Sequence, residues 1–245
     1  MFQKTINPKT ARQILPAVYA GLLASLCWIA GDILILGFTP NPAKYPLLSE
    51  TYAFQINVDI ATLMLSGSTS RLMWGALLAV FSMPLYLYGI FAVSRLIKRK
   101  FMMPVFLLLF IGRSLSPLGH AAFFYVGEIY KTILDTDPSA HARLLETALA
   151  FEKILKIVWT ASVSFTTLGW LLFGVWVVQE KTVLKKSAVW FNPIVFVVAI
   201  ALLWMLLPSP MKDWIGCAVF NEANLIFFAI LLFIVQKRRN PTNGK

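Results

Sequence analysis

The chain has 245 residues, of which 58% are hydrophobic and 13% charged, with a formal net charge of +11 and a mean hydropathy of +0.73. A soluble domain averages roughly 25% charged residues, so a water-soluble fold of this length would leave too much apolar surface in water. The basic residues are dispersed at the ends of apolar runs, where anionic lipid headgroups attract them, which argues against a nucleic-acid partner.

Six apolar stretches each approach the roughly 20 residues that a membrane-spanning helix requires. They predict an all-α, polytopic membrane protein, with a single integral-membrane domain over residues 1–245 that forms a bundle of six transmembrane helices. The first stretch is too long for the core of a signal peptide and further spans follow it, so we expect it to be retained. The predicted spans are residues 16–38, 72–93, 103–127, 155–178, 190–207 and 214–235.

The loop between the first two spans is too long for a plain connection and predicts a helix over residues 49–66. Tyr52, Ile56 and Ile60 fall on one side of this helix and polar residues on the other, while Gly67 provides a stop. The pattern predicts an amphipathic helix at the outer surface. Its role is either interfacial packing or that of a lid over a site.

The segment before the fourth span predicts a long helix that projects outward. Asp137 followed by Pro138 is the pattern of an N-cap and a first-turn proline, and no Gly or Pro then occurs before Gly169. We therefore expect one helix from Pro138 through the fourth span. His141 lies on its early part, where we expect it to be solvated.

Lysine and arginine residues set the orientation. The two tails and the loops after spans two and four hold 14 basic residues and one acid, whereas the three opposite loops hold seven basic and seven acidic residues. This alternation predicts that both termini are cytoplasmic. The short tails, the compact loops and the lack of an N-x-[ST] sequon (x not Pro) favour a bacterial inner membrane, that is, a plasma membrane.

Two cysteines lie at different predicted depths. Cys27 is about 11 residues below the outer end of span one, or ~16 Å at the helical rise, and Cys217 is about three residues into span six. This difference exceeds the reach of a disulfide, whose Cα atoms lie within ~7 Å of each other. We expect both thiols to be free.

Three ionisable residues from distant parts of the chain share one level in the membrane. Asp32, His120 and Glu222 each lie six to eight residues below the outer ends of their spans, which places them roughly 9–12 Å below the boundary. Ionisable groups inside a membrane usually face the bundle interior and pair with one another. We therefore predict that they converge in a polar cavity that opens outward.

The third span adds a polar face. Arg113, Ser116 and His120 are spaced by three and four residues, and Glu128 lies beside that face. Arg113 is near the predicted midplane and needs a partner, which is either a carboxylate, Asp32 or Glu222, in a purely structural clamp, or an anionic ligand.

The sixth span and the aromatic residues offer two interpretations each. Asn221 and Asn224 either form hydrogen bonds across helices or belong to the site. Trp28 and Tyr86 fit the core or an interfacial belt better than a ligand cage.

The sequence contains no P-loop, dinucleotide fingerprint or G-x-S-x-G motif, and we predict no metal and no cofactor. The residues favour acid–base chemistry on a lipid or another amphipathic small molecule, or its binding, with membrane lipids as the surroundings. His120, Asp32 and Glu222 are the predicted catalytic groups. The predicted substrate-binding residues are Arg113, Ser116, Glu128, Asn221 and Asn224. A proton- or solute-coupled transporter and a non-enzymatic assembly or sensor protein are the alternatives.

Overall fold

A computed structural model describes residues 6–239, and within them the structure is helical apart from an isolated β-bridge. The all-α prediction is confirmed, and five helices of the described part are long and apolar enough to cross a membrane. The helices are α1 (Pro8–Leu36), α2 (Val58–Leu63), α3 (Thr69–Arg95), α4 (Met102–Asp135), α5 (Pro138–Val178), α6 (Pro193–Trp204) and α7 (Met211–Arg239).

The fifth predicted span is shorter than its hydropathy indicates. α6 has 12 residues, or about 18 Å, against the roughly 30 Å of a bilayer core. Asn192 begins the helix, because its side chain accepts a hydrogen bond from the Ile194 N–H and Pro193 occupies the first turn. Pro208 and Pro210 follow its end. The apolar stretch in the sequence is therefore longer than the helix, because it includes apolar residues before Asn192 and after the end of α6.

The long helix before and through the predicted fourth span is confirmed. α5 has 41 residues, with Asp137 as its N-cap and Pro138 in its first turn. It packs along α4, and the Tyr130 hydroxyl donates to Glu152 at 2.5 Å across this pair. The solvated position expected for His141 is wrong. That ring is 4% exposed, because the Tyr52 hydroxyl lies 2.9 Å from its Nδ1 and covers it.

The loop between α1 and α3 differs from the single helix expected over residues 49–66. It forms a short π-helical turn, Leu47–Thr51, and then α2, with irregular backbone between them. The break occurs where the Asn57 side chain accepts from the Ile60 N–H and so begins a new helix. Leu48 and Met64 are fully buried against the rest of the bundle, so the segment is a packed cover.

The bundle has two ends, which we name the Asp137 end and the Lys98 end. At the Asp137 end, the Thr39 hydroxyl after α1 donates to Asp213 near the start of α7 at 2.5 Å. At the Lys98 end, the backbone N–H of Lys98 donates to the Lys181 carbonyl at 2.9 Å, which joins the loops after α3 and α5. Thus α1 and α7 are antiparallel, and the first and last described residues lie at the Lys98 end.

Glycine residues bring α1 and α3 into backbone contact at two levels. A Cβ added to Gly31 would lie 2.9 Å from the Gly75 carbonyl oxygen, and a Cβ added to Gly89 would lie 2.8 Å from the Gly21 Cα. Small residues of this kind let membrane helices approach closely and gain dispersion contacts. The α1–α3 pair is therefore closed, and open space lies on the other side of the bundle.

Candidate functional site

A buried polar network connects four long helices. Asp32 of α1 accepts a hydrogen bond at 2.6 Å from the Asn221 side chain of α7, and its other oxygen lies 3.5 Å from Nδ1 of His120 on α4. The Tyr86 hydroxyl of α3 donates to Oδ1 of Asn221 at 2.9 Å. All four residues are buried. Asn221 is thus the central connection, because its amide satisfies a carboxylate on one side and a phenol on the other.

Arg113 joins this network without a direct carboxylate partner among residues 6–239. Its Nη1 donates to Oδ1 of Asn221 at 3.4 Å, and its guanidinium lies over the Tyr86 ring, 4.3 Å from the centroid. A cation over an aromatic face is attracted by the quadrupole of the ring. Within the described residues, neither Asp32 nor Glu222 forms an ion pair with Arg113, because the amide of Asn221 lies between Arg113 and Asp32. A carboxylate was one of the two partners expected from the sequence.

The second terminal nitrogen of Arg113 is unpaired. The residue is 7% exposed, and its Nη2 has no hydrogen-bond partner among the described residues. The indole nitrogens of Trp28 and Trp170 and the Nε2 of His120 are also buried without partners there. Buried N–H groups are almost always hydrogen-bonded, so three unpaired donors in one region indicate an acceptor that the protein itself does not supply.

A cavity of about 290 Å³ adjoins the network. It extends from Leu36 and Leu63 near the Asp137 end to Trp170 and Pro193. Two lining side chains are exposed on the surface of the bundle, Trp159 of α5 at 46% and Phe220 of α7 at 38%. α6 packs on α7 and touches α5 little, so the mouth lies between α5 and the α6–α7 pair. The polar lining residues are Asp32, Arg113, Ser116, His120, Ser162, Thr166, Thr167, Asn221 and Asn224.

Serine hydroxyls form a second polar patch on the cavity wall. The Ser116 and Ser162 hydroxyl oxygens are 2.6 Å apart, and both lie within 3.1 Å of the Gly112 carbonyl oxygen. On α7, Asn224 donates to the Phe220 carbonyl of its own helix at 2.6 Å. Ser116 and Asn224, both predicted as substrate-binding residues, therefore line the cavity.

Two predicted site residues are absent from the lining. Glu222 is half-buried on α7, and the neighbouring Asn221 occupies the inward position instead. Glu128 lies toward the Asp137 end, where it accepts from the Thr69 hydroxyl and the Lys131 ammonium, both at 2.7 Å. The structure thus brings together Asp32, His120 and Arg113 and leaves the two glutamates outside the cavity.

The orientation of His120 restricts its chemistry. Nδ1 faces Asp32, and Nε2 faces the crossing of α1 and α3, where a Cβ added to Gly31 would lie 3.3 Å from it. The Trp28 ring covers the imidazole, with the two centroids 4.9 Å apart. The groups of the site therefore suit binding through donors better than proton transfer to a bound molecule.

Sequence reasoning missed the aromatic part of the site. The sequence placed Trp28 and Tyr86 in the core or an interfacial belt, and it gave no prediction for Trp170. The available signal was chemical: a buried Tyr or Trp usually needs a partner for its O–H or N–H. Among the described residues, no group of three or more His, Cys, Asp or Glu side chains is placed to hold a metal ion. Cys27 and Cys217 are both free, as expected.

A family model described as a family of unknown function (DUF6796) matches residues 1–238. Because this match covers nearly the whole chain, the protein belongs to that family. No curated protein and no solved structure matches the chain.

Proposed function

We propose that this member of the DUF6796 family is a membrane protein that binds a lipid or another amphipathic small molecule in the cavity between α4, α5 and α7. Arg113 is the observation that carries the proposal. Its cation is buried in an apolar bundle, lines the cavity and keeps one nitrogen without a partner among the described residues. A buried charge with unused donors is costly, and a bound polar head group would offset that cost.

The mouth of the cavity supports entry from the bilayer. Trp159 and Phe220, which flank it, are aromatic and exposed, and Leu202 and Leu206 on and just after α6 are 61% and 81% exposed. Such a surface is stable in hydrocarbon and unfavourable in water. Lys153 and Lys156 precede Trp159 on α5, so the mouth lies near the level where polar headgroups begin. An amphipathic molecule would keep its apolar part in the membrane while its head enters the cavity.

The membrane orientation is part of the same proposal. The polypeptide would cross a bacterial plasma membrane six times, with α6 and the preceding 3-10 turn (Lys186–Phe191) as a short fifth crossing and both termini in the cytoplasm. The excess of basic residues in the tails and in the loops of the Lys98 end supports this orientation. Reporter fusions at Lys245 and near Pro138 should report opposite compartments. The same compartment for both would contradict the topology.

Acid–base chemistry on the bound molecule is the second candidate. The 3.5 Å approach of Asp32 to the imidazole of His120 favours it, since a carboxylate can orient a histidine and stabilise its charged form. His120→Ala should leave the bundle folded, because Asp32 keeps its 2.6 Å hydrogen bond from Asn221. If His120→Ala turns over a bound lipid as fast as the parent protein, acid–base chemistry by His120 is excluded. The binding proposal would then still stand.

Occupancy of the cavity is the test of the binding proposal. The protein is purified in mild detergent, and co-purifying amphipathic molecules are identified by native mass spectrometry. Val163→Trp fills the cavity from α5, whereas Leu168→Trp on the same helix adds the same ring to an exposed position. We expect the first variant to lose the bound molecule and the second to keep it. Equal occupancy in both folded variants would overturn the proposal.

A further inference from the structure

Three of the four buried polar side-chain atoms that lack a partner among the described residues are hydrogen-bond donors, and the fourth, Nε2 of His120, faces the crossing of α1 and α3. Arg113 Nη2, Trp28 Nε1 and Trp170 Nε1 belong to residues that line the cavity, and none has a partner among residues 6–239. Guanidinium and indole nitrogens donate and do not accept. The occupant must therefore present acceptor oxygen atoms to this wall. A head group that is itself rich in donors, such as an ammonium, would leave these three groups unsatisfied.

The charges around the cavity limit the head group to one negative charge. Among the lining residues, Arg113 supplies the cationic group and Asp32 the carboxylate. The side chain of Asn221 lies between these two groups. The two Asp32 oxygens are directed at Asn221 and His120, so both oxygens of this carboxylate already have partners. One anion can pair with the free side of the guanidinium. A second negative charge would lie near Asp32 without a cation to match it, at a cost that low dielectric enlarges.

The volume of the cavity limits how much of the molecule it can hold. At roughly 30 Å³ for a water-sized group, the 290 Å³ of the cavity corresponds to about ten such groups. A carboxylate and a few methylene groups fill that space, and the remaining chain must leave through the mouth between Trp159 and Phe220. A phospholipid head group with its glycerol backbone exceeds the same volume, even when both of its chains lie in the bilayer.

We infer that the occupant is a single-chain amphipath with a monoanionic carboxylate head, held by Arg113 with Trp28 and Trp170 as further donors, and this inference rests on the proposed function. The carboxylate lies at Nη2 of Arg113, where charge-assisted hydrogen bonds are stronger than neutral ones. The indole N–H groups satisfy the remaining lone pairs. The chain passes from the cavity into the bilayer between α5 and the α6–α7 pair.

Three probes with the same chain length separate charge from hydrogen-bond acceptance. Radiolabelled hexadecanoate is bound to the full-length protein in nanodiscs at mildly alkaline pH, and unlabelled hexadecanoate, methyl hexadecanoate and hexadecyl phosphate compete for it. We expect hexadecanoate to bind about 10-fold or more tightly than the methyl ester, which accepts hydrogen bonds but lacks the charge. Hexadecyl phosphate should compete more weakly than hexadecanoate, because its second charge is not matched.

Variants connect this preference to the named donors. Arg113→Gln should remove the preference for the acid over the ester, while Arg143→Gln, which changes an exposed arginine on α5, should keep it. Trp170→Phe should weaken hexadecanoate binding by a factor of about 3–10, since a buried donor is lost while the ring remains. Trp176→Phe, a buried tryptophan outside the cavity lining, is the matched control.

The outcomes distinguish this inference from the proposed function. Ester binding equal to that of the acid, tighter binding of the phosphate, or an acid preference that survives in Arg113→Gln would each overturn the carboxylate assignment. Failure of all three probes, with a native molecule still displaced by Val163→Trp, would also overturn it and leave amphipath binding standing. If Val163→Trp displaces nothing, the proposed function itself fails.

Discussion

The two sides of the bundle are both built from apolar helices but differ in how closely the helices approach. On one side, α1 and α3 meet backbone to backbone at Gly31 and Gly75 and again at Gly21 and Gly89. On the other side, α5 and α6 touch little, and the residues between them line a cavity. The difference arises from the side chains at the contact.

This difference shows where the helices are held together and where they are held apart. Without a hydrophobic force between helices in lipid, close packing supplies most of the attraction, and small residues make it possible. On α5, Trp159, Val163 and Trp170 line the cavity and keep the neighbouring helix at a distance. The polar network at Asp32 and Asn221 lies at the boundary between the closed and the open side.

Removing Asn221 should have the largest effect on stability. Asn221→Leu leaves Asp32, the Tyr86 hydroxyl and one nitrogen of Arg113 without their shared partner. Leaving buried charged and polar groups unpaired costs about 3–5 kcal/mol. Asn224→Leu is the control, because Asn224 bonds only within its own helix in the described structure. In mixed micelles, Asn221→Leu should lower the free energy of unfolding much more than Asn224→Leu. Equal losses in the two variants would contradict the central role of Asn221 in the network.

Glycine substitutions compare the two sides directly. Gly31→Ala would place a Cβ 2.9 Å from the Gly75 carbonyl oxygen, where backbone must move. Overpacking of this kind costs about 1–3 kcal/mol. Gly119→Ala faces the cavity side, with the nearest atoms of Trp159 at 3.5 Å, and should be neutral or stabilising. If both variants unfold at the same detergent concentration, the two sides of the bundle do not differ in how tightly they are packed.

Filling the open side should cost little stability. Val163→Phe adds volume where the cavity can accept it, so we expect the free energy of unfolding to change by less than about 1 kcal/mol. Thermal unfolding of the purified variant provides the measurement. A loss larger than that of Gly31→Ala would mean that the cavity wall is as tightly packed as the α1–α3 crossing.

The smallest expected effect lies outside both sides, at the start of α5. Hydrogen bonds from the Ser139 hydroxyl and N–H lower the pKa of Asp137 below its usual range. A carboxyl with a lowered folded-state pKa adds stability at neutral pH, and this contribution disappears as the pH falls through the lowered value. The protection of the amides of residues 139–141 against hydrogen exchange, corrected for the intrinsic exchange rate at each pH, should therefore decrease in acid. Asp137→Asn keeps a capping oxygen without the charge and should lack this pH dependence, and an identical profile would refute the assignment.

Local signals account for the parts of the fold that could be predicted. The Asp137–Pro138 start of α5 and its unbroken course to Val178 follow from residues adjacent in sequence. The apolar runs identify the long helices because every residue of such a helix contributes to the mean hydropathy of its segment. The length of α6 could not be predicted from hydropathy, because Asn192 determines where the helix begins and the prolines after Trp204 determine where it ends.

For the site residues, the sequence predicted the depth in the membrane but not the direction in which each side chain faces. Counting residues along each span brings Asp32, His120 and the Asn221–Glu222 pair to one level, and the structure joins three of them. Adjacent residues differ by about 100° in direction around a helix, so depth alone does not decide between Asn221 and Glu222. The direction in which α7 packs on α1 decides it, and that depends on residues such as Gly21 and Phe228 far from the site.

By itself, the sequence determined the helical class, the apolar surface that suits a membrane and the presence of costly polar groups inside the bundle. Only the tertiary structure decided that Arg113 is bridged to Asp32 through an amide, that His141 is covered by Tyr52, and that a cavity remains between α5 and α6. The physical reason is that helix formation and burial in lipid depend on local composition. Pairing and open volume depend instead on how distant helices rotate and pack against each other, and glycines at the α1–α3 crossing set that packing.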